Sequence, residues 1–585
     1  AGGGWGARLL FRKAPPGINP LSPENPLIFA GNPFSGTGVT TSGKYAIACK
    51  SPLTGFVGDS ISSGSLADEL KKMPFDALVI TGRAEAPTYL LIIDQEVRFC
   101  SADHLMRSPA SEAERRIKAE LRDPMIRVAA IGPAGEVGVG YACVTNEGRQ
   151  AGRTGAGAVM GSKNLKAIAF RGVTPCPVAH PKELEAVAAR LRELSEGPAT
   201  AKYRGPGTIA NLSKLNKLAA LPSFNFRRSS FDGAGRINAE QFQKRLVDND
   251  SRVDASRDWE HVFDTGENKG SRVKGRVEYE SLFALGPLCG IDDPDLIIRA
   301  SALCDELGID TISTGGTIAW AMESFEKGLI NSSDTDGLGL RFGDGRALLS
   351  TIEKIGRREG IGDLLAQGSK RASAAVGGGS EAWAMHVKGL EMPGYDPRAL
   401  KTLALGLAVN ARGACHNRSS VYDFDLDGYG EPTDTEPDRG VLTASGEDSA
   451  AVMDSLILSK FLRRCFDDFY PEAARIYELI TGWEMSGAEL QQVGARINTL
   501  RKAFNLREGW TRADDTLPSR VLGEEATEEG SMQGGLSRAE LEAMIDDYYR
   551  ARGWTTEGSI PGSKLEELGL HDLVSNSSAT SSHVE

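Results

Sequence analysis

Residues 278–328 read EYESLFALGPLCGIDDPDLIIRASALCDELGIDTISTGGTIAWAMESFEKG. Glu278 and Glu280 set two carboxylates around Tyr279. Between residues 294 and 307, Leu296, Ile297, Ala300, Leu303 and Cys304 recur at helical spacing, which predicts a helix with one buried face. Gly308 suits a left-handed helix C-cap and places Asp310 and Thr311 in the following turn. Ser313, Thr314, Gly315 and Gly316 then lead into a second helix, predicted over 317–327. A helix end, small residues and a new helix N-terminus leave backbone N–H groups free, which suits a polar ligand. The same pattern also fits a plain helix–turn–helix connector.

Working outward, the 585 residues suggest three or four domains, at roughly 150 residues each, with ample material for a buried core. A net charge of −12 and a pI near 5.4 argue against nucleic acid and anionic membrane as partners. No apolar run is long enough to span a bilayer and no signal-peptide pattern appears, so a cytoplasmic protein is expected. The opening AGGGWGARLL reads as the middle of a fold, as though a strand preceded it. Cys49, Cys100, Cys143, Cys176, Cys289, Cys304, Cys415 and Cys465 include no C-x-x-C pair, which predicts small core residues rather than metal ligands or disulfides.

Residues 1–173 are rich in Gly, Val, Ile and Thr in short alternating runs, which predicts a β-rich domain with tight turns. Glycine-rich loops are read at 51–64 (SPLTGFVGDSISSG), 131–136 (IGPAGE) and 151–157 (AGRTGAG). Small residues let a backbone approach a phosphate, and Arg153 can pair with it. Each run also fits an ordinary turn, and none is a Walker loop or dinucleotide fingerprint. From 174 onward the pattern turns helical: 174–385 and 386–574 are assigned as two mainly helical domains, followed by a Ser-rich tail at 575–585 expected to be disordered. Residues 223–277 read as a polar surface or docking segment and 420–450 as an acidic loop. A helix is predicted over 450–462, carrying Asp454 and Ser459. His416 sits in a turn of small residues flanked by Arg412 and Arg418, a setting that suits either a structural or a functional imidazole.

These runs, together with KSPLTG at 50, AGRTGAGAVMGSKNLKAIA at 151, YESL at 279, CDELGIDTIS at 304, RGACH at 412 and FNLREGWTRADD at 504, resemble the aldehyde ferredoxin oxidoreductase family of tungsten enzymes. The resemblance covers nearly the whole chain. It implies an α+β fold: an N-terminal β-sheet domain followed by two mainly α-helical domains, with a cofactor cleft between them. It implies tungsten held by the dithiolenes of two pterins (tungstopterin), with no protein ligand to the metal. Aldehyde is oxidised to carboxylate, and electrons leave through a [4Fe-4S] cluster to ferredoxin or a redox partner subunit. Homodimers are common in the family.

Residue by residue, the first D-x-x-G-L-x pterin motif falls on Asp305, Gly308, Ile309 and Asp310. The second falls on Asp454, Leu458, Ser459 and Lys460, with Ile457 where the motif has glycine. Other cofactor contacts are implied at Lys44, Ser63, Ala151, Gly152, Arg153, Arg412 and Arg418; the implied catalytic pair is Glu280 and His416. Two departures stand out. The four cluster cysteines are replaced by Ala255, Asp258, Val262 and Ser459, and Ala and Val cannot serve as iron–sulfur ligands. The asparagine associated with a magnesium bridge between the pterins is Ile61, and an apolar side chain cannot coordinate a hard cation. A tungsten-pterin aldehyde oxidoreductase without its cluster is therefore expected. The alternatives are a non-catalytic relative or the tungsten subunit of a larger reductase.

Overall fold

The computed structural model describes residues 1–247, 261–266, 272–426, 438–524 and 535–573. The N-terminal part is built on two sheets. Strands β1 (Leu27–Ala30), β2 (Lys44–Lys50), β3 (Val57–Ser63) and β4 (Ala77–Ile80) form an antiparallel sheet in the order β3-β2-β1-β4. Strands β5 (Thr88–Ile93), β6 (Glu96–Ser101), β7 (Arg127–Ile131), β8 (Val144–Asn146), β9 (Arg149–Ala151) and β10 (Leu165–Arg171) form a mixed sheet in the order β6-β5-β10-β7-β8-β9. Side chains alternate across a strand with period two. In β2, Tyr45, Ile47 and Cys49 therefore point into the core shared with Leu90, Ile92, Ile168 and Phe170. Ala48 points the other way, with Ile28, against helix Gly2–Lys13 through Leu10 and Phe11. Helix Ala110–Leu121 covers the outer face of the second sheet through Ala113 and Ile117. Burial on both faces makes β1, β5 and β7 nearly continuous apolar runs rather than the alternating ones expected, whereas β6 is exposed.

The remainder is mainly helical. Helix Pro294–Leu307 forms where its periodicity predicts and buries Ile297, Ala300 and Cys304; Asp293 caps it by accepting from the Asp295 and Leu296 N–H groups. The next helix starts earlier than its glycines suggest: it runs Thr311–Glu326, capped by Asp310, whose carboxylate accepts from Ser313 N–H. Gly315 lies inside this helix, where the neighbouring helix, Tyr279–Leu285, crosses too closely to admit a side chain. A Cβ at Gly315 would stand 2.2 Å from the Ala284 carbonyl oxygen. Packing thus overrides the low helix propensity of the Gly-Gly pair.

Other sequence expectations are revised in the same way. The stretch read as a loop at 58–63 is β3, and Pro133–Glu136 is a short helix. The acidic 420–450 region contains helix Tyr422–Leu426 and the first two thirds of helix Arg439–Leu456, capped by Asp438. That helix ends before Ser459, which instead caps the turn Lys460–Leu462. The segment at 223–277 is not a surface strap throughout: Ser223, Asn225, Phe226 and Phe231 are buried. Its apolar residues are too sparse to show a period, so only tertiary contact reveals their burial. Ala255, Asp258 and the Ser-rich tail lie outside the described residues. Among the described residues no helix is long and apolar enough to cross a membrane.

Candidate active site

One cavity of about 450 Å³ lies where the N-terminal sheets meet the helical part. It is assembled from two loops of the same construction. Helix Pro294–Leu307 ends at Gly308 (φ 74°), and the N–H groups of Gly308 and Ile309 both return to the Cys304 carbonyl, at 2.9 and 3.0 Å. Helix Arg439–Leu456 ends at Ile457 (φ 58°), and Ile457 and Leu458 return to the Met453 carbonyl in the same way. This left-handed ending satisfies the last helical carbonyls and turns the chain sharply. It brings Asp305 and Asp454 to equivalent places, each in the last turn of its helix. The first loop is fastened to the sheet domain by Cys143 N–H donating to the Gly308 carbonyl (2.8 Å) and Asp310 N–H to the Tyr141 carbonyl (3.1 Å).

The two aspartates differ in charge environment. Asp454 pairs with Arg418 and with Lys460 (3.2 Å), and these cations outweigh burial and hold its carboxyl below its usual value. Asp305 accepts one hydrogen bond, from Gln150 Nε2 (3.0 Å), and burial pushes its carboxyl up to about 6. Asp59, on β3, is the shared counter-charge of three guanidinium groups: Arg501 at 2.7 Å, Arg418 at 3.1 Å and Arg412 at 3.9 Å. Burial raises its carboxyl, but Arg418, Arg501 and Arg412 together hold it far below the carboxylate range. A carboxylate hidden in a run of small strand residues gives no sequence signal, and Asp59 was not among the residues the sequence singled out.

Arg153 and Thr154 both adopt left-handed backbone (φ 62° and 58°). Such a conformation is costly outside glycine and marks a place the surroundings over-determine. It sends the Arg153 guanidinium across to the carbonyls of Ala414 (2.7 Å) and Glu391. At the far side, Glu280 Oε1 faces His416 Nδ1 at 3.4 Å, while Gly394 N–H donates to Glu280 Oε2 (2.9 Å). Burial pushes the Glu280 carboxyl up to about 7, against the pull of Gly394 N–H and Arg153. Burial, with Arg153 and Lys460 nearby, keeps His416 neutral well below its usual value. Tyr395 and Tyr422 hold the imidazole, with ring centroids 5.1 and 5.8 Å away.

Lys44, Ser63, Gly152, Arg153, Glu280, Asp305, Ile309, Asp310, Arg412, His416, Arg418, Asp454, Leu458, Ser459 and Lys460 all line the cavity. Ala151 and Gly308 do not: Ala151 belongs to the core between the sheets, and Gly308 shapes the loop. Cys415, expected to be a small core residue, is buried in the main core and also lines the cavity. Burial raises its thiol, but Arg412, Arg418, Arg153 and Lys460 outweigh this and bring it below its usual value.

Residues 1–172 match the family model of the aldehyde ferredoxin oxidoreductase N-terminal domain, and residues 185–570 match that of its domains 2 and 3. The chain belongs to the aldehyde ferredoxin oxidoreductase family. It is 38% identical to the tungsten-containing aldehyde ferredoxin oxidoreductase of Pyrococcus furiosus over 97% of this chain and 93% of that protein. It is 28% identical to the aliphatic sulfonate oxidoreductase, WOR-like subunit, of the same organism, over 94% and 89%. Among solved structures, the active site complex BamBC of benzoyl coenzyme A reductase with 1,5-dienoyl-CoA shares the fold. Its TM-score is 0.84 at 23% identity, over 97% of this chain and 92% of that one.

Members of the aldehyde ferredoxin oxidoreductase family carry tungstopterin and an iron–sulfur cluster. The cavity's donors fit the first group. The Nε atoms of Arg153, Arg412 and Arg418 are buried without hydrogen-bond partners among the described residues, which suits an anionic ligand. Asp305 retains acceptor capacity for its N–H groups. The donors at the described cluster positions do not fit the second group. Val262 lies in strand Val262–Thr265 and Ser459 caps a turn, so neither offers a thiolate. Ile61 lines the cavity and packs in a small apolar cluster with Ile457, Ala30, Ala46 and Ala77, so position 61 itself offers no side-chain oxygen to magnesium.

Proposed function

We propose that this chain is a tungsten-pterin oxidoreductase that converts an aldehyde to a carboxylate and passes the electrons to ferredoxin or another redox partner. The observation that carries the reading is the Glu280–His416 pair at 3.4 Å, half-buried at Glu280 and facing the same cavity as the two Asp-bearing loops. Aldehyde and water yield carboxylate, three protons and two electrons. Bound tungstopterin supplies the two-electron redox chemistry that no side chain here provides. Arg153, Arg412 and Arg418 would hold its anionic groups and Asp305 its donor edge.

Glu280 supplies the proton chemistry. With its carboxyl near 7 it exists in both protonation states around neutrality, the condition for efficient general acid–base work. Gly394 N–H holds one carboxylate oxygen and leaves Oε1 to exchange the proton. His416, kept neutral and packed beside the stacked Tyr395 and Tyr422 rings, presents Nδ1 without a hydrogen-bond partner among the described residues, so its ring can orient a carbonyl oxygen or a water beside Glu280. Burial excludes bulk water from this pair and strengthens its polar interactions.

A second reading is favoured by the missing thiolates at Val262 and Ser459: a family member that depends on a partner for electron exit, or that no longer turns over. One experiment separates the two. Purified chain is assayed for tungsten, iron and aldehyde-dependent viologen reduction. Tungsten with little iron, and dye reduction abolished in Glu280→Gln, supports the oxidoreductase. Absence of both tungsten and turnover supports the second reading, and four irons per chain contradicts the loss of the cluster.

A further inference from the structure

Outward from Glu280 and His416 the cavity wall changes character. Thr208, Pro206, Tyr203 and Phe461 line its outer end. Tyr203 and Phe461 stack with centroids 3.9 Å apart and planes 22° apart; both are half-buried, and Pro206 is exposed, so this end opens to solvent as a flat, apolar mouth. The charged groups beside it have protein partners: Lys202 lies with Nζ 5.6 Å from the Tyr203 ring centroid and donates to Asn211 Oδ1. Lys460 pairs with Asp454 at 3.2 Å and donates to the Asn417 carbonyl. His261 is tied through Nε2 to the Gly205 carbonyl at 2.6 Å. The Nε atoms of Arg153, Arg412 and Arg418, which lack hydrogen-bond partners among the described residues, belong to the residues proposed above to hold the cofactor's anionic groups.

We propose that the Tyr203–Phe461 pair is the specificity-determining element of the site. It selects uncharged aldehydes that carry a flat unsaturated group, aryl or conjugated alkenyl, over small saturated aldehydes and phosphorylated ones. The inference rests on the aldehyde oxidation proposed above and names its substrate class. A planar substituent gains contact with an aromatic wall through offset or edge-on packing that a methyl group cannot match. A phosphate entering here would lose hydration and meet a lysine already committed to a carboxylate. Because the pair lies at the mouth rather than beside Glu280, it discriminates by binding the substituent and leaves the proton chemistry to the inner residues.

The test uses the cofactor-loaded enzyme and viologen reduction with benzaldehyde, acetaldehyde and glyceraldehyde 3-phosphate. For benzaldehyde, kcat/KM is expected to exceed that for acetaldehyde by about tenfold or more, the range one apolar contact surface supplies. Tyr203→Ala and Phe461→Ala should each collapse that ratio through a raised KM for benzaldehyde, and Phe461→Tyr should preserve it. A ratio unchanged in both alanine variants overturns the proposal, as does a preference for the phosphorylated aldehyde. If no aldehyde reduces the dye, the oxidation reading fails separately. The mouth is then judged by saturation-transfer NMR of benzaldehyde on the same protein. Binding that is lost in Phe461→Ala upholds the aromatic mouth; binding that is absent, or unaffected by the substitution, overturns it.

Discussion

Ile457 ends helix Arg439–Leu456 in the left-handed conformation that Gly308 adopts at the end of Pro294–Leu307. A β-branched residue there costs about 1–2 kcal/mol in backbone energy. Its side chain is repaid by burial beside Ile61, Ala30 and Ala46. Removing a buried Ile side chain costs about 2–5 kcal/mol, so the packing term wins. Ile457→Gly is therefore expected to lower stability by about 1–3 kcal/mol in urea denaturation, despite restoring the residue that suits the backbone. A gain in stability would show that strain, not packing, dominates at this position.

Glu280→Gln should lower aldehyde-dependent turnover by about 10²–10⁴-fold, the usual contribution of a positioned acid–base group. With the folded carboxyl near 7, parent activity should rise as pH increases through that value and the base form appears; the variant should lack that step. The stability effect has the opposite sign. A carboxyl raised on folding holds its proton in the native state and loses stability as pH rises from its unfolded value through 7. Thermal melts at pH 5 and pH 8 should therefore fall more steeply for the parent than for the variant.

Asp59→Asn removes the common counter-charge of Arg412, Arg418 and Arg501. Breaking one side of a buried ionic cluster leaves charge uncompensated in a poorly solvated place and costs about 3–5 kcal/mol. A loss of that size is expected in chemical denaturation of the cofactor-free protein; a change below about 1 kcal/mol would place Asp59 among ordinary surface pairs.

Asp305 and Asp454 should respond differently to amide substitution. Asp305, raised to about 6, loses native stability as pH climbs from its unfolded value through 6, so Asp305→Asn should melt higher than the parent at pH 8. Asp454 is held below its usual value by Arg418 and Lys460, so Asp454→Asn should melt lower at pH 8. Tungsten retained per chain should fall in Asp305→Asn, which loses its anionic acceptor. Equal melting shifts for the two variants would refute the asymmetry.

What the sequence determined by itself is local chemistry. The periodicity of Leu296 to Cys304 and the glycine at 308 define one Asp-bearing loop, and the ordered motifs carry the family and its α+β architecture. The absence of thiolates at Val262 and Ser459 is likewise legible without coordinates, because ligand chemistry belongs to the residue type. Only the tertiary structure decided the rest. Thr311–Glu326 begins ahead of its glycines, and Gly315 is a glycine because Tyr279–Leu285 crosses it too closely for a side chain. Asp59 gains its role from Arg412, Arg418 and Arg501, which are hundreds of residues distant in the chain. Tyr203 and Phe461 meet only at the cavity mouth. Burial and charge at such places are sums over neighbours that no window of sequence contains, which is why Glu280 and Asp305 look like ordinary acids until the fold removes their water.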